Sequence, residues 1–188
     1  MFPAEHDFDS LIASASDAYG VPVAVIKGVI GAESGFDPAA YRAEPQINDA
    51  STGLMQLLMS TARGQGFTGT SLGLYDPRTN INLGTKLLSS LSRQLGDWGA
   101  VFSAYNGGVR PQYGLGARLP SGLFQNQDYV NRVASLVGYF GQQQADAAVD
   151  LLGPSGEVQS AGDGLLSVLP WLALPLVLAL WAGKQADK

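Results

Sequence analysis

Helical spacing of apolar residues, cut into lengths by glycine and proline, is what most constrains this chain. Phe8, Leu11, Ile12, Ala15 and Tyr19 fall on one side of a helix over 7–19, and Gly20 stops it. Pro22 suits a first helical position and opens a helix over 22–34. Asp76-Pro77 joins an N-cap to a first-turn proline and starts a helix that runs to about Leu95, with Gly96 as its stop. Asp97 caps a further helix to about Asn106. Tyr129, Val130, Val133, Leu136, Val137 and Phe140 set a last helix over 126–144. Residues 53–63 are expected to be helical too. Residues 35–52, with Pro38, Pro45, Asn48 and Asp49, are expected to be a long loop, 64–73 a connection, and 107–124 an irregular Gly- and Pro-bearing loop. No β-pattern stands out and there is no internal repeat. The expected fold is all-α, with one domain over residues 1–145.

Behind that domain the composition changes twice. Residues 146–163 hold Asp146, Asp150, Glu157 and Asp163 and no base, which reads as an acidic linker. Residues 164–183 hold no charge at all, in the run GLLSVLPWLALPLVLALWAG. A helix of that length reaches roughly 30 Å, the thickness of a bilayer core. Pro170 and Pro175 would kink it, which lipid-embedded helices tolerate, and Trp181 falls where an interfacial residue would lie. A single transmembrane helix over 164–183 is therefore expected, followed by a short basic tail over 184–188. Lys184 and Lys188 place that tail on the cytoplasmic side and the large domain on the other. The stretch MFPAEHDFDS has neither a basic n-region nor an apolar h-region, so it does not read as a secretory signal.

Composition also narrows the chemistry. The chain has no cysteine, and its one histidine, His6, lies in an N-terminal stretch expected to be mobile. Thiolate metal sites and disulfides are thereby excluded, and neither a Ser-His-Asp triad built on His6 nor any metal or cofactor is expected. A net charge of -5 argues against nucleic acid as the partner. Acid–base work falls to carboxylates, and Glu33 is the candidate. Ile26, Val29 and Ile30 lie seven, four and three residues before it and share its helical face. A face that packs into a core leaves Glu33 partly desolvated at the helix end. Desolvation raises a carboxyl pKa and keeps its proton available for general acid catalysis. Taken alone, Glu33 could equally cap or pair at a helix terminus.

Two downstream motifs change that balance. Ser51-Thr52-Gly53-Leu54-Met55-Gln56 offers a glycine for close approach, a methionine to pack on a sugar ring or acetamido methyl, and an amide that donates and accepts. Ala104-Tyr105-Asn106-Gly107-Gly108 ends a helix with a phenol, an amide and a glycine cap. Each is nonspecific alone. Together with Glu33-Ser34-Gly35-Phe36-Asp37-Pro38, Ser60-Thr61-Ala62, Asp76-Pro77, Asn80-Ile81-Asn82-Leu83-Gly84 and Tyr129-Val130 with Arg132-Val133, they resemble the catalytic domain of the SLT-type lytic transglycosylases. The resemblance covers about residues 15–140.

The resemblance implies a goose-type-lysozyme-like α-fold acting on peptidoglycan glycan strands. It implies cleavage between N-acetylmuramic acid and N-acetylglucosamine, with Glu33 as acid and then base and 1,6-anhydromuramic acid as product. The substrate's own acetamido group would stand in for a second carboxylate, as in other substrate-assisted glycosidases. Ser51, Met55, Gln56, Tyr105, Asn106 and Gln125 are the implied substrate-binding residues. The sequence departs from the family in three places: the stretch from Glu33 to Gln56 is longer, with Glu44, Asn48 and Asp49 inserted; Gly107 replaces an alanine; and Gln125 stands where members often carry a glutamate. A membrane-anchored transglycosylase is the leading expectation, with the lipid bilayer as a partner through 164–183. A bacteriophage setting, with virion or envelope protein partners, and a bacterial one fit equally. A hydrolytic lysozyme on the same fold would need a water-activating carboxylate from among Asp37, Glu44, Asp49 and Asp97. A non-catalytic glycan-binding or structural membrane protein is the third reading.

Overall fold

The computed structural model describes residues 2–107 and 119–152. Helix α1 (Asp9–Tyr19) ends at Gly20, which takes the left-handed conformation at φ 68° and returns its N–H to Ser16. Helix α2 (Val23–Glu33) follows Pro22 and is apolar around most of its circumference. Its Val25, Ile26, Val29 and Ile30 are buried, as expected of a helix at the centre of a core. Helix α4 (Pro77–Leu95) starts where Asp76 accepts the Thr79 N–H at 2.8 Å and stops at left-handed Gly96. Helix α5 (Trp98–Gly107) begins beyond Asp97, whose carboxylate accepts the Ala100 N–H at 3.1 Å. Helix α4 packs against both α1 and α5. These bounds lie within a residue or two of those set by the apolar spacing.

Residues 41–64 depart from expectation, and the all-α assignment is corrected there. Strands β1 (Tyr41–Glu44), β2 (Asp49–Thr52) and β3 (Leu57–Leu58) form an antiparallel sheet in the order β1-β2-β3. A 3-10 turn over Pro45–Ile47 joins the first two. Strands of four and two residues are too short to show alternation, and β1 is mostly exposed. The helix expected over 53–63 is confined to α3 (Met59–Gly64). Gly53 and Gln56 have positive φ, 77° and 47°, which no α-helix accommodates.

One buried side chain fastens this turn to the helices. Asn80 of α4 is fully buried. Its Oδ1 accepts the Met55 N–H at 2.7 Å, and its Nδ2 donates to the carbonyls of Thr52 at 2.9 Å and Leu74 at 2.8 Å. Gly53 passes so close that a Cβ there would lie 2.5 Å from Asn80 Nδ2. One turn along α4, Gly84 leaves room for the Met55 thioether, which a Cβ would strike. Met55 is itself fully buried and cannot swing clear. Gly84→Ala is therefore expected to cost about 1–3 kcal/mol, the usual penalty for overpacking. Urea unfolding measures it, and a stability equal to that of the parent would refute the close fit.

The N-terminal stretch is packed, against the mobility expected of it. Phe2 lies 5.3 Å from the Phe36 ring and 6.5 Å from that of Phe140. Glu5 is buried and accepts the Phe2 N–H at 3.1 Å, while His6 reaches Asp9 at 3.0 Å. At the other end, α6 spans Gln127–Leu152, longer than the apolar spacing predicts. The first residues assigned to the acidic linker are thus helical. Compact units divide at Gly141: the first holds the elements above, and the second, from Gln142, is described only along α6, where Gln142 donates to Asp146 at 2.7 Å. Among the described residues no helix is long and apolar enough to cross a membrane. The rest of the linker, the apolar segment 164–183 and the tail 184–188 lie outside them, as does most of the 107–124 loop.

Candidate active site

Helix α2 delivers Glu33 to the rim of a cleft of about 470 Å³. Ser34, next in line, donates its hydroxyl to the Leu54 carbonyl at 2.8 Å, tying the helix end to the turn over residues 53–56. From α6, buried Tyr129 donates its hydroxyl to Glu33 Oε1 at 2.6 Å. Arg132 lies over the Tyr129 ring at 5.5 Å. Burial pushes the Glu33 carboxyl above its ordinary pKa. The Tyr129 hydrogen bond and the charges of Arg42 and Arg132 pull it back only in part. Desolvation, reinforced by the Glu33 charge, holds the Tyr105 and Tyr129 phenols well above their ordinary values, so both are donors.

Five of the predicted residues meet at this cleft: Glu33, Ser51, Gln56, Tyr105 and Asn106 all line it. Gln56 is held by its side-chain amide, which donates to the carbonyls of Gly53 at 3.0 Å and Ala40 at 3.2 Å. Tyr105 donates to the Met55 carbonyl at 2.9 Å. Asn106 accepts from Asn126 at 3.0 Å, and Asn126 in turn is fixed by the Ser103 hydroxyl and carbonyl. Met55 and Gln125 fall elsewhere. The Met55 side chain is fully buried behind the cleft wall, against Gly84, and only its backbone carbonyl serves the site. Gln125 is exposed and does not line the cleft.

Among the four carboxylates named as water-activating candidates, Glu44 alone lines the cleft, and it is bonded to Arg42 at 2.7 Å. Asp37 is exposed and accepts the Ala39 N–H. Asp97 caps α5. Asp49 caps α3, accepting from Met59 and Ser60 at 3.1 and 3.0 Å. Desolvation pushes the Asp49 carboxyl up, but hydrogen bonds from Ser60, Ala50 and Met59 outweigh it and hold the pKa below the ordinary value.

Sequence reasoning placed Tyr129 and Asn80 in matching motifs without giving either a role, and missed Arg42 and Asn126. Its spacing alone gives Tyr129 only a place on the buried face of a helix. The available signal was chemical: a buried tyrosine hydroxyl needs a partner, and a desolvated carboxylate is a fitting one.

The Transglycosylase SLT domain family matches residues 10–113, more than half of the chain. The chain belongs to the SLT transglycosylase family. The membrane-bound lytic murein transglycosylase C of Shigella sonnei (strain Ss046) is 34% identical to it over 119 residues, covering 55% of this chain and 32% of that protein. The SLT chain thus spans about a third of the length of this curated relative. Two solved structures share its fold at 24% identity. An inactive mutant of the lytic transglycosylase Slt from Pseudomonas aeruginosa superposes with a TM-score of 0.62, covering 77% of this chain and 25% of that one. The 70-kDa soluble lytic transglycosylase of Escherichia coli gives a TM-score of 0.60, covering 85% and 26%. The fold of this SLT domain is therefore mostly helical and lysozyme-like, with the small sheet as its exception.

The Tyr129–Glu33 bond has a measurable consequence. The hydroxyl stabilises the ionised carboxyl, so Tyr129→Phe is expected to raise the Glu33 pKa further. Carbon NMR titration of the Glu33 carboxyl reads this directly, and a midpoint that stays put or falls would contradict the assignment.

Proposed function

We propose that this SLT domain is a peptidoglycan lytic transglycosylase. It cleaves the bond between N-acetylmuramic acid and N-acetylglucosamine and leaves 1,6-anhydromuramic acid. The carrying observation is Glu33: a carboxyl raised by burial, fixed by Tyr129, at the edge of a cleft lined with hydrogen-bonding side chains. A general acid works best with its pKa near the working pH, and burial moves Glu33 in that direction.

The steps balance without water. Protonated Glu33 gives its proton to the glycosidic oxygen, and the bond from that oxygen to the muramoyl anomeric carbon breaks. The acetamido oxygen of the same sugar supports the electron-poor carbon, so no second carboxylate is required. Glu33, now ionised, takes the proton from the muramoyl hydroxymethyl group, and that oxygen closes onto the anomeric carbon. The enzyme ends as it began. Ser51, Gln56, Tyr105 and Asn106 hold the glycan, and Tyr129 keeps Glu33 aimed. Because water is not consumed, digestion of purified peptidoglycan is expected to release soluble fragments without new reducing ends. Reducing ends appearing in step with cleavage would mean hydrolysis instead.

The finer setting is membrane-anchored. Residues 164–183 form a single span, with Lys184 and Lys188 on the cytoplasmic side and the SLT domain facing the wall. The uncharged length supports this, and so does the name of the relative, a membrane-bound transglycosylase. The same chemistry serves local wall opening in phage penetration or lysis and in envelope remodelling. The full chain is expected to float with phospholipid vesicles, and residues 1–163 to remain behind. Equal flotation of both would count against the span.

A further inference from the structure

Strands β1 and β2 carry a hydrogen-bonded group on the cleft side of the sheet. Arg42 stands opposite Ser51 in the ladder, and Glu44 opposite Asp49. Alternation along a strand therefore puts Arg42, Glu44 and Ser51 on one face. All three line the cleft. Arg42 Nε donates to Glu44 Oε1 at 2.7 Å, and Ser51 Oγ donates to that same oxygen at 3.2 Å. Ser51 is buried, and the Glu44 side chain is 24% exposed. Arg42 is near enough to Glu33 for its charge to act on that carboxyl, and Glu33 lines the same cleft as the group.

A serine hydroxyl has one proton and two lone pairs, whereas a carboxylate held by a guanidinium only accepts. The Ser51 proton is thus committed to Glu44. What Ser51 can offer the cleft is a lone pair. An acetamido sugar carries a matching donor, its amide N–H. We propose that Glu44 is a positioning residue for substrate recognition: steadied by Arg42, it orients the Ser51 hydroxyl so that its oxygen accepts the amide N–H of an acetamido sugar. This deepens the reading of the cleft as a glycan site and rests on it.

The test compares the full chain with Glu44→Ala, Glu44→Gln, Ser51→Ala and the Glu44→Ala/Ser51→Ala pair, measuring kcat and KM on N-acetylated glycan fragments. A misoriented Ser51 loses its hydrogen bond to the sugar amide, which predicts a KM higher by up to about tenfold for Glu44→Ala, with kcat changed less than about twofold. Glu44→Gln keeps an acceptor oxygen and is expected to stay within about twofold of the parent. The paired variant is expected to be no worse than Ser51→Ala, since Glu44 acts through Ser51. Additive losses in the pair, or equal falls in kcat and melting temperature, would overturn the proposal. A collapse of kcat in Glu44→Gln would overturn it as well and make Glu44 a catalytic residue. If the parent turns over and Glu33→Gln does not, such outcomes sink this proposal alone. No turnover by the parent sinks the reading of the cleft and the proposal together.

Discussion

Glu33→Gln is expected to lower the rate of glycan cleavage by about 10²–10⁴-fold, the usual contribution of a positioned general acid. Glutamine keeps the size and the Tyr129 contact but has no proton to give. The loss is expected in kcat with KM little changed, because the acid acts on the bond that breaks and not on the resting glycan. Stability is expected to move the other way. The folded-state pKa of Glu33 is raised, so folding holds its proton more tightly than the unfolded chain does. Below the ordinary glutamate pKa both states are protonated and the residue is neutral to stability. As pH rises through the folded-state pKa, an ionised carboxylate is forced into a desolvated site and the fold weakens. Glutamine escapes this, so the variant is expected to match the parent in acid and to be the more stable near neutrality. A variant that is inactive and also less stable at neutral pH would indicate that Glu33 is a structural residue.

Asn80→Ala is the largest expected loss of stability. It strands the Met55 N–H and the carbonyls of Thr52 and Leu74 in the interior. Each unsatisfied buried group costs about 1–3 kcal/mol, so a loss of about 3 kcal/mol or more is expected by urea unfolding. The damage reaches the cleft, because Tyr105 rests on the Met55 carbonyl and Gln56 follows it in the chain. Asn80→Asp separates hydrogen bonding from volume. It keeps the size but turns a second acceptor toward two carbonyls, and it is expected to lose stability as well. If either variant costs under about 1 kcal/mol, water has replaced the side chain and the turn does not depend on it.

The parts of the fold legible in the sequence are those fixed by local chemistry. Asp76 before Pro77, Gly96 after Leu95, and Pro22 at the start of α2 each act on their own backbone, so residue type alone marks the boundary. Glu33 was legible as a carboxylate at the end of an apolar helix, since buried Ile26, Val29 and Ile30 precede it on α2. The sheet was not. The β1–β2 pairing is set by contacts across the hairpin, and its side chains are polar on the cleft side, so no period appears in the sequence. Met55 was misplaced because a methionine beside a glycine reads equally as a sugar contact or as packing. Only the position of Gly84, twenty-nine residues on, decides for packing. Tyr129 and Arg42 come to Glu33 from other elements, and no spacing along the chain shows that approach.

In the proposed reaction Glu33 drives an intramolecular ring closure and not a hydrolysis. The most direct measurement is the mass of the terminal muramoyl sugar released from purified peptidoglycan by the parent chain and by Glu33→Gln. Fragments lighter by one water than their hydrolysed counterparts are expected from the parent, and none from the variant. Fragments of full hydrolysed mass, or anhydro fragments that persist without Glu33, would contradict it.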